Sequence, residues 1–258
     1  MASQTFQGFK RHQFLLEELV KRDFKKKYKG TLMGAAWSIL NPLLMLLIMR
    51  VVFTHFFGDI EHYTTYLFCG TVVFTYFTEA TSEGLLTLVG NANIFTKIDV
   101  PKYLFLVSKN VQTLLNFALV LVVFFVFCAL DGITFTWRFL ALVYPIAMLL
   151  VFNVGLGLVL SALYVLFRDM QYLWTVFSQL VMYVSAVFYP IDTFPPAVQH
   201  LFMANPLFLF INYFRMVVID GAIPSLGYHA LVAAFAAGAL LVGICLYRKL
   251  GDEFLYYV

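Results

Sequence analysis

Charge-free stretches divide this chain more clearly than any other pattern. Residues 30–49, 62–78, 110–130, 139–167, 170–191 and 221–247 contain no Asp, Glu, Lys or Arg. Most of them reach or exceed the roughly 20 residues that a helix needs to cross about 30 Å of hydrocarbon. They predict six transmembrane helices. A seventh clean stretch, 193–214, is interrupted by Pro195-Pro196 and Asn205-Pro206. Proline removes a backbone donor and turns the residue before it away from helix. This stretch is therefore expected to form an outer re-entrant helical hairpin between spans five and six, with its loose backbone covered by protein. Ahead of the first span, Leu15, Leu16, Leu19, Val20, Phe24 and Tyr28 recur at steps of three and four residues, and lysines occupy the other face. That pattern predicts an amphipathic helix lying in the membrane interface, held by anionic lipid.

The expected fold class is an all-α integral membrane protein: six transmembrane helices, an N-terminal amphipathic interface helix and the re-entrant hairpin. Residues 1–30 form the cytoplasmic interface helix, and 31–258 form one transmembrane domain. Within that domain, 91–103 is the longest inner loop and 190–220 the outer hairpin. Composition closes off the alternatives. The chain is 62% hydrophobic and 12% charged, against about 25% charged residues in a soluble domain. A free cytosolic enzyme, a secreted disulfide scaffold and a disordered tail are all excluded.

Charge gives the orientation. Fourteen of the seventeen basic residues fall in the N-terminal segment, in the second-to-third and fourth-to-fifth connections, and after span six. By the positive-inside rule that side is the cytoplasm, and both termini lie there. The opposite connections hold Asp59, Glu61, Asp131, Asp192 and Asp220, with only Arg138 and Arg215. The basic start continues for almost thirty residues before any apolar core, so no cleavable signal peptide is expected. A basic run placed against a membrane argues against nucleic-acid binding.

Candidate chemistry is sparse. The chain has no Gly-Lys dipeptide and hence no P-loop, no HExxH pair and no G-x-S-x-G elbow. Cys69, Cys128 and Cys245 stand alone in separate apolar segments, which suits packing rather than disulfides or metal binding. No catalytic and no metal-ligating residue is expected. Arg50, Glu79 and Glu83 fall within or beside predicted spans, where charges are costly and often functional. At about 1.5 Å per residue, Arg50 lies roughly 24 Å from the inner side, so it is expected to snorkel outward. Glu79 and Glu83, one turn apart, are expected to line an inner vestibule or to meet a cytoplasmic lysine. Aromatic residues make up 18% of the chain. Phe188, Tyr189, Phe208, Phe210, Tyr213 and Phe214 cluster around the broken hairpin, where flat faces with a polar edge suit sugar rings.

Taken in order, these features resemble the membrane subunit of ABC exporters of cell-surface polysaccharides, the family that handles O-antigen, teichoic acid, capsule and rhamnose-rich polymers. Arg22-Asp23-Phe24-Lys25, Tyr28, Gly34, Trp37 and Asn41-Pro42-Leu43 resemble the approach to span one. Phe167-Arg168-Asp169 resembles the short turn after span four. Ser185-Ala186-Val187-Phe188-Tyr189-Pro190, Pro195, Asn205-Pro206 and Arg215 resemble the outer re-entrant motif, with Ser-Ala where the family usually has Ser-Pro.

The resemblance implies a homodimer bound to a separately encoded cytoplasmic ATPase that holds ATP and magnesium, with no cofactor on this chain. It implies an ATPase-coupling segment at Lys97, Ile98, Asp99, Val100 and Pro101. A cytoplasmic mouth is expected near Arg22, Asp23, Lys25, Arg168 and Asp169. The candidate passage residues are Trp37, Phe188, Tyr189, Phe210 and Tyr213, in a passage between two copies lined by spans one and five. The expected cargo is a lipid-linked polysaccharide crossing a bacterial cytoplasmic membrane. The same fold exporting lipids or drugs, a membrane-embedded glycan-modifying enzyme, and a scaffold that recruits an ATPase are the alternatives.

Overall fold

The computed structural model describes residues 14–25, 34, 36–57, 61–95, 97 and 100–250. Every regular element among them is helical. The elements are α1 (14–25), α2 (Ala36–Phe57), α3 (Tyr63–Gly90), the one-turn α4 (Ala92–Phe95), α5 (Tyr103–Leu130), a 3-10 turn (Trp137–Leu142) leading into α6 (Val143–Leu166), α7 (Met170–Val184), α8 (Pro196–Phe202), α9 (Pro206–Val218) and α10 (Leu226–Leu250). Three helical segments are long and apolar enough to cross a membrane: Tyr103–Leu130, Trp137–Leu166 and Leu226–Leu250. The bent pair α8–α9 makes up to four.

α3 is the central helix, packed against α2, α5, α6, α7 and α9. Its polarity is what an enclosed position permits. Thr71, Thr81 and Thr87 turn their hydroxyls back onto the carbonyls of Leu67, Phe77 and Glu83, so each is satisfied without a neighbour. Tyr76 stacks on Phe117, and Phe68 meets Phe124 edge-on, joining α3 to α5. α6 and α10 run parallel, as the pairs Tyr144–His229 and Gly155–Leu240 show. They touch through glycine: a Cβ on Gly155 would overlap the backbone of Ala239 and Leu240, and one on Gly243 would overlap the Gly155 carbonyl. Small residues of this kind let apolar helices approach closely where lipid offers no hydrophobic drive.

Alternation of direction along the chain gathers α1, Lys97, Lys102, Arg168, Arg248 and Lys249 at one end of the bundle, called here the basic end. Glu61, Asp131, Asp192 and Asp220 gather at the other. Two expectations need correction. The fifth clean stretch, 170–191, is not one helix: α7 stops at Val184, and Ala186 takes a positive φ of 49°. The break occurs without the usual proline because the neighbouring helices hold the chain open there. Nor does Arg215 belong to an outer loop. It lies inside α9 and is 5% exposed.

Candidate functional site

At the acidic end, the segment after α7 leaves helical geometry inside the protein, so its carbonyls need partners. Four successive ones have them. Arg215 donates from Nη1 to Ala186 O at 3.0 Å and from Nη2 to Val187 O at 2.9 Å. The Tyr63 hydroxyl donates to Phe188 O at 2.7 Å, and the Tyr66 hydroxyl to Tyr189 O at 2.9 Å. The guanidinium lies over the Tyr66 ring, 3.5 Å from its centroid. Gly70 makes room for this arrangement, since a Cβ there would stand 2.9 Å from Val187 O. Asn205 closes the motif. Its amide donates to Ser185 Oγ at 2.9 Å, while its Oδ1 accepts from the Leu207 amide and caps α9 with Pro206 in the first turn. α8 and α9 meet at 100° across this cap. Ser185, Asn205 and Arg215, far apart in sequence, thus form one structural unit. The sequence reading missed Tyr63, Tyr66 and Gly70, which carried only the weak signal of polar tips and a small residue facing a broken helix.

The aromatic candidates separate. Phe188, Phe210 and Tyr213 are 2%, 0% and 0% exposed. They offer no surface for a polymer in this conformation and serve as packing around the motif, Phe210 against Phe152 and Tyr213 against His229. Tyr189 is half-buried, and Trp37 at the start of α2 is 47% exposed. α2 and α7 each present an open apolar face. α7 buries only Trp174 and Ser178 and presents Tyr172, Leu173, Val176, Phe177, Leu180 and Tyr183 outward.

At the basic end, α1 is fastened to the bundle. Leu19 is buried against Leu88, Phe105, Ala162 and Val165. Beside it, Asp23 is 2% exposed, and its Oδ1 accepts from Arg22 Nη2 at 2.7 Å and Nε at 2.9 Å. Arg22 also donates to Asn91 Oδ1 at 2.9 Å, and Asn91 returns its amide to Thr87 O at the end of α3. Lys109 of α5 lies 3.0 Å from Glu83 and 3.9 Å from the second Asp23 oxygen. Two cations and two carboxylates therefore balance around a pocket of about 160 Å³. Glu79, one turn deeper, accepts from Asn116 at 3.0 Å. On the outer face of α1, the Glu18 carboxylate bonded to Lys21 at 2.9 Å holds that ammonium above its ordinary value.

Arg50 is exposed on α2. Lys25, Arg168 and Asp169 are exposed, the latter two on the α6–α7 turn, where Arg168 lies 5.3 Å over the Tyr164 ring. In the inner connection Lys97 is exposed and Val100 and Pro101 are half-buried, while Ile98 and Asp99 lie outside the described residues. Ala92, Ile94 and Val100 pack on the same small core as Leu19. The connection and α1 therefore share one apolar footing. Among the described residues no group of His, Cys, Asp and Glu could hold a metal ion.

Asp23→Ala removes the buried acceptor that fixes Arg22. The charge-assisted bond from Arg22 to Asn91, which Asp23 holds in place, contributes about 1.5–3 kcal/mol, so α1 should open about ten- to hundredfold more often. Limited trypsin digestion of membrane vesicles should cut after Lys21 or Arg22 faster by about that factor. An unchanged rate would show that Leu19 alone holds the helix.

The chain matches the model of the ABC-2 type transporter family over residues 15–219. An O-antigen export system permease protein, RfbA, from Klebsiella pneumoniae is 26% identical over 247 residues, covering 93% of both chains. The RfbA permease of Myxococcus xanthus is 26% identical over 245 residues, 93% of this chain and 94% of its own. The polysialic acid transport protein KpsM of Escherichia coli is 25% identical over 253 residues, 93% and 95% of the two chains. These relatives are named as transport proteins, which removes the membrane-bound enzyme from consideration. The family match spans both the α1 latch and the Arg215 motif, and the chain belongs to the ABC-2 type transporter family, as a multi-pass membrane permease of an ABC transporter.

Proposed function

We propose that this chain is the transmembrane subunit of an ATP-driven exporter that moves a lipid-linked polysaccharide across the bacterial cytoplasmic membrane. The observation that carries the cargo is the end-to-end similarity to O-antigen and polysialic acid permeases, over 93% of the chain. In this reading α2, α3, α5, α6, α7 with the segment that follows it, and α10 span the membrane, both termini are cytoplasmic, and the basic end faces the cytoplasm. α1 lies in the interface at the mouth. The bent α8–α9 pair is the outer re-entrant hairpin. α7, at fifteen residues, is too short alone for about 30 Å of hydrocarbon. The non-helical 185–190 segment extends it, its carbonyls met by Arg215, Tyr63 and Tyr66.

Two copies enclose the passage. The exposed aromatic and aliphatic faces of α2 and α7, which a second copy would cover, support this. A cytoplasmic ATPase, holding ATP and magnesium, docks on the 91–103 connection. Its stroke reaches α3 through Asn91, α1 through Arg22, and α5 through the apolar footing that Leu19 shares with Phe105. Glu79 and Glu83 then face the inner vestibule, with Lys109 neutralising Glu83, the one nearer the cytoplasm. The test is ATP-dependent movement of a lipid-linked glycan in vesicles carrying this chain and its ATPase. Replacing 97–101 with a Gly-Ser segment is expected to abolish movement while leaving the ATPase able to hydrolyse ATP.

A further inference from the structure

The cluster at the basic end leaves one bond unmade. Asp23 gives Oδ1 to Arg22, but among the described residues no donor lies within hydrogen-bond distance of its Oδ2, which is shielded from solvent. The Lys109 ammonium stands 3.9 Å from that oxygen and 3.0 Å from Glu83 Oε2. It is bonded to one carboxylate and about 1 Å short of the other. The two acceptors compete on different terms. The Glu83 side chain is 38% exposed, so water screens its attraction for the lysine and supports its charge if the lysine leaves. The Asp23 side chain is 1% exposed, where an unpaired charge is costly and attraction to a cation is screened less. Contact favours Glu83 and burial favours Asp23. Arg22, Asp23, Glu83, Asn91 and Lys109 line the pocket of about 160 Å³, which gives the ammonium room to change sides. Its flexible four-carbon stem allows the movement.

We propose that Lys109 is a two-position clasp, holding Glu83 of α3 in this conformation and exchanging it for Asp23 of α1 when α5 moves toward the cytoplasm. The direction follows from the level of the two acceptors. Arg22 joins Asp23 to Asn91 at the inner end of α3, whereas Glu83 lies about 12 Å deeper along that helix. Lys109 stands less than two turns beyond Tyr103, where the 91–103 connection becomes α5. Drawing that connection toward the cytoplasm carries the ammonium from Glu83 to Asp23. The grip on α1 is thereby tied to the position of α5. The exchange rests on these three side chains alone, and only its drive by an ATPase rests on the docking proposed above.

The test is hydrogen–deuterium exchange of the α1 peptides, read by mass spectrometry in the detergent-purified full chain with whatever co-purifies. Glu83→Gln removes the competing charge, so Lys109 should settle on Asp23. α1 should then exchange about tenfold more slowly, the lower end of what one charge-assisted hydrogen bond contributes. In a Lys109→Gln background the same change should leave α1 exchange unaltered, because the effect passes through the ammonium. Should Lys109→Gln not fold, Asp23→Asn replaces it as the background with the same expectation. A Glu83 that merely braces the bundle predicts faster or unchanged α1 exchange on its loss. Either result overturns the proposal, as does a slowing that persists in the Lys109 or Asp23 background. Every arm reads this chain's own α1, so a preparation without an ATPase counts against the proposed function and not against the clasp.

Discussion

Arg215→Ala should prevent most of the chain from accumulating in a folded form. The substitution leaves the carbonyls of Ala186 and Val187 buried without their donors, each at about 1–3 kcal/mol. It also removes a desolvated cation from the Tyr66 ring, a contact worth about 2 kcal/mol. The combined loss of roughly 4–8 kcal/mol approaches the whole stability of many domains. Arg215→Lys should fall between the two, because an ammonium keeps the charge but lacks the planar fork that serves both carbonyls. Fluorescence-detected size exclusion after stepwise heating would rank the three. Lysine behaving like arginine would mean that charge alone, rather than bidentate geometry, holds the segment after α7.

The second large effect is expected at the α6–α10 contact. Gly155→Ala or Gly243→Ala forces two backbones apart, since the added Cβ meets main chain rather than a movable side-chain tip. Overpacking of this kind costs about 1–3 kcal/mol and sometimes more. Gly238→Ala on the same α10 helix has nothing within 4 Å of its Cβ and serves as the control. It should be neutral, or stabilising by up to about 1 kcal/mol through helix propensity. Equal stability of all three in the same heating series would contradict the close packing of α6 on α10.

The helical class of this protein was readable from the absence of charge over long stretches, because hydrocarbon forbids both unpaired backbone and unpaired charge. The break near residue 205 was equally readable, since Asn205-Pro206 is a local signal. The end of α7 was not. Ala186 carries no sign of a positive φ, and what stabilises it comes from Tyr63, Tyr66 and Arg215, between 28 and 125 residues away. Arg215 was misplaced for the same reason: a lone arginine beside an outer loop looks exposed until its acceptors are seen. The aromatic cluster misled in the other direction. Phe210 and Tyr213 sit in a run where nearly every position is buried, so aromatic content there reflects packing. The latch was half visible. Arg22-Asp23 stood out on an otherwise lysine-rich helix, but Asn91 and Lys109 become its partners only when α3 and α5 bring them together.

The central claim is that this permease exports a lipid-linked glycan with energy from a partner ATPase. Its most direct test is to reconstitute the chain, with the ATPase that co-purifies from its native membrane, into vesicles loaded with labelled lipid-linked glycan. Accessibility of the label from the far side of the bilayer is then followed with ATP and with a non-hydrolysable analogue. The account predicts glycan crossing with ATP, none with the analogue, and none when residues 97–101 are replaced. ATP hydrolysis that continues without any glycan crossing, or a purified chain with no associated ATPase, would contradict it.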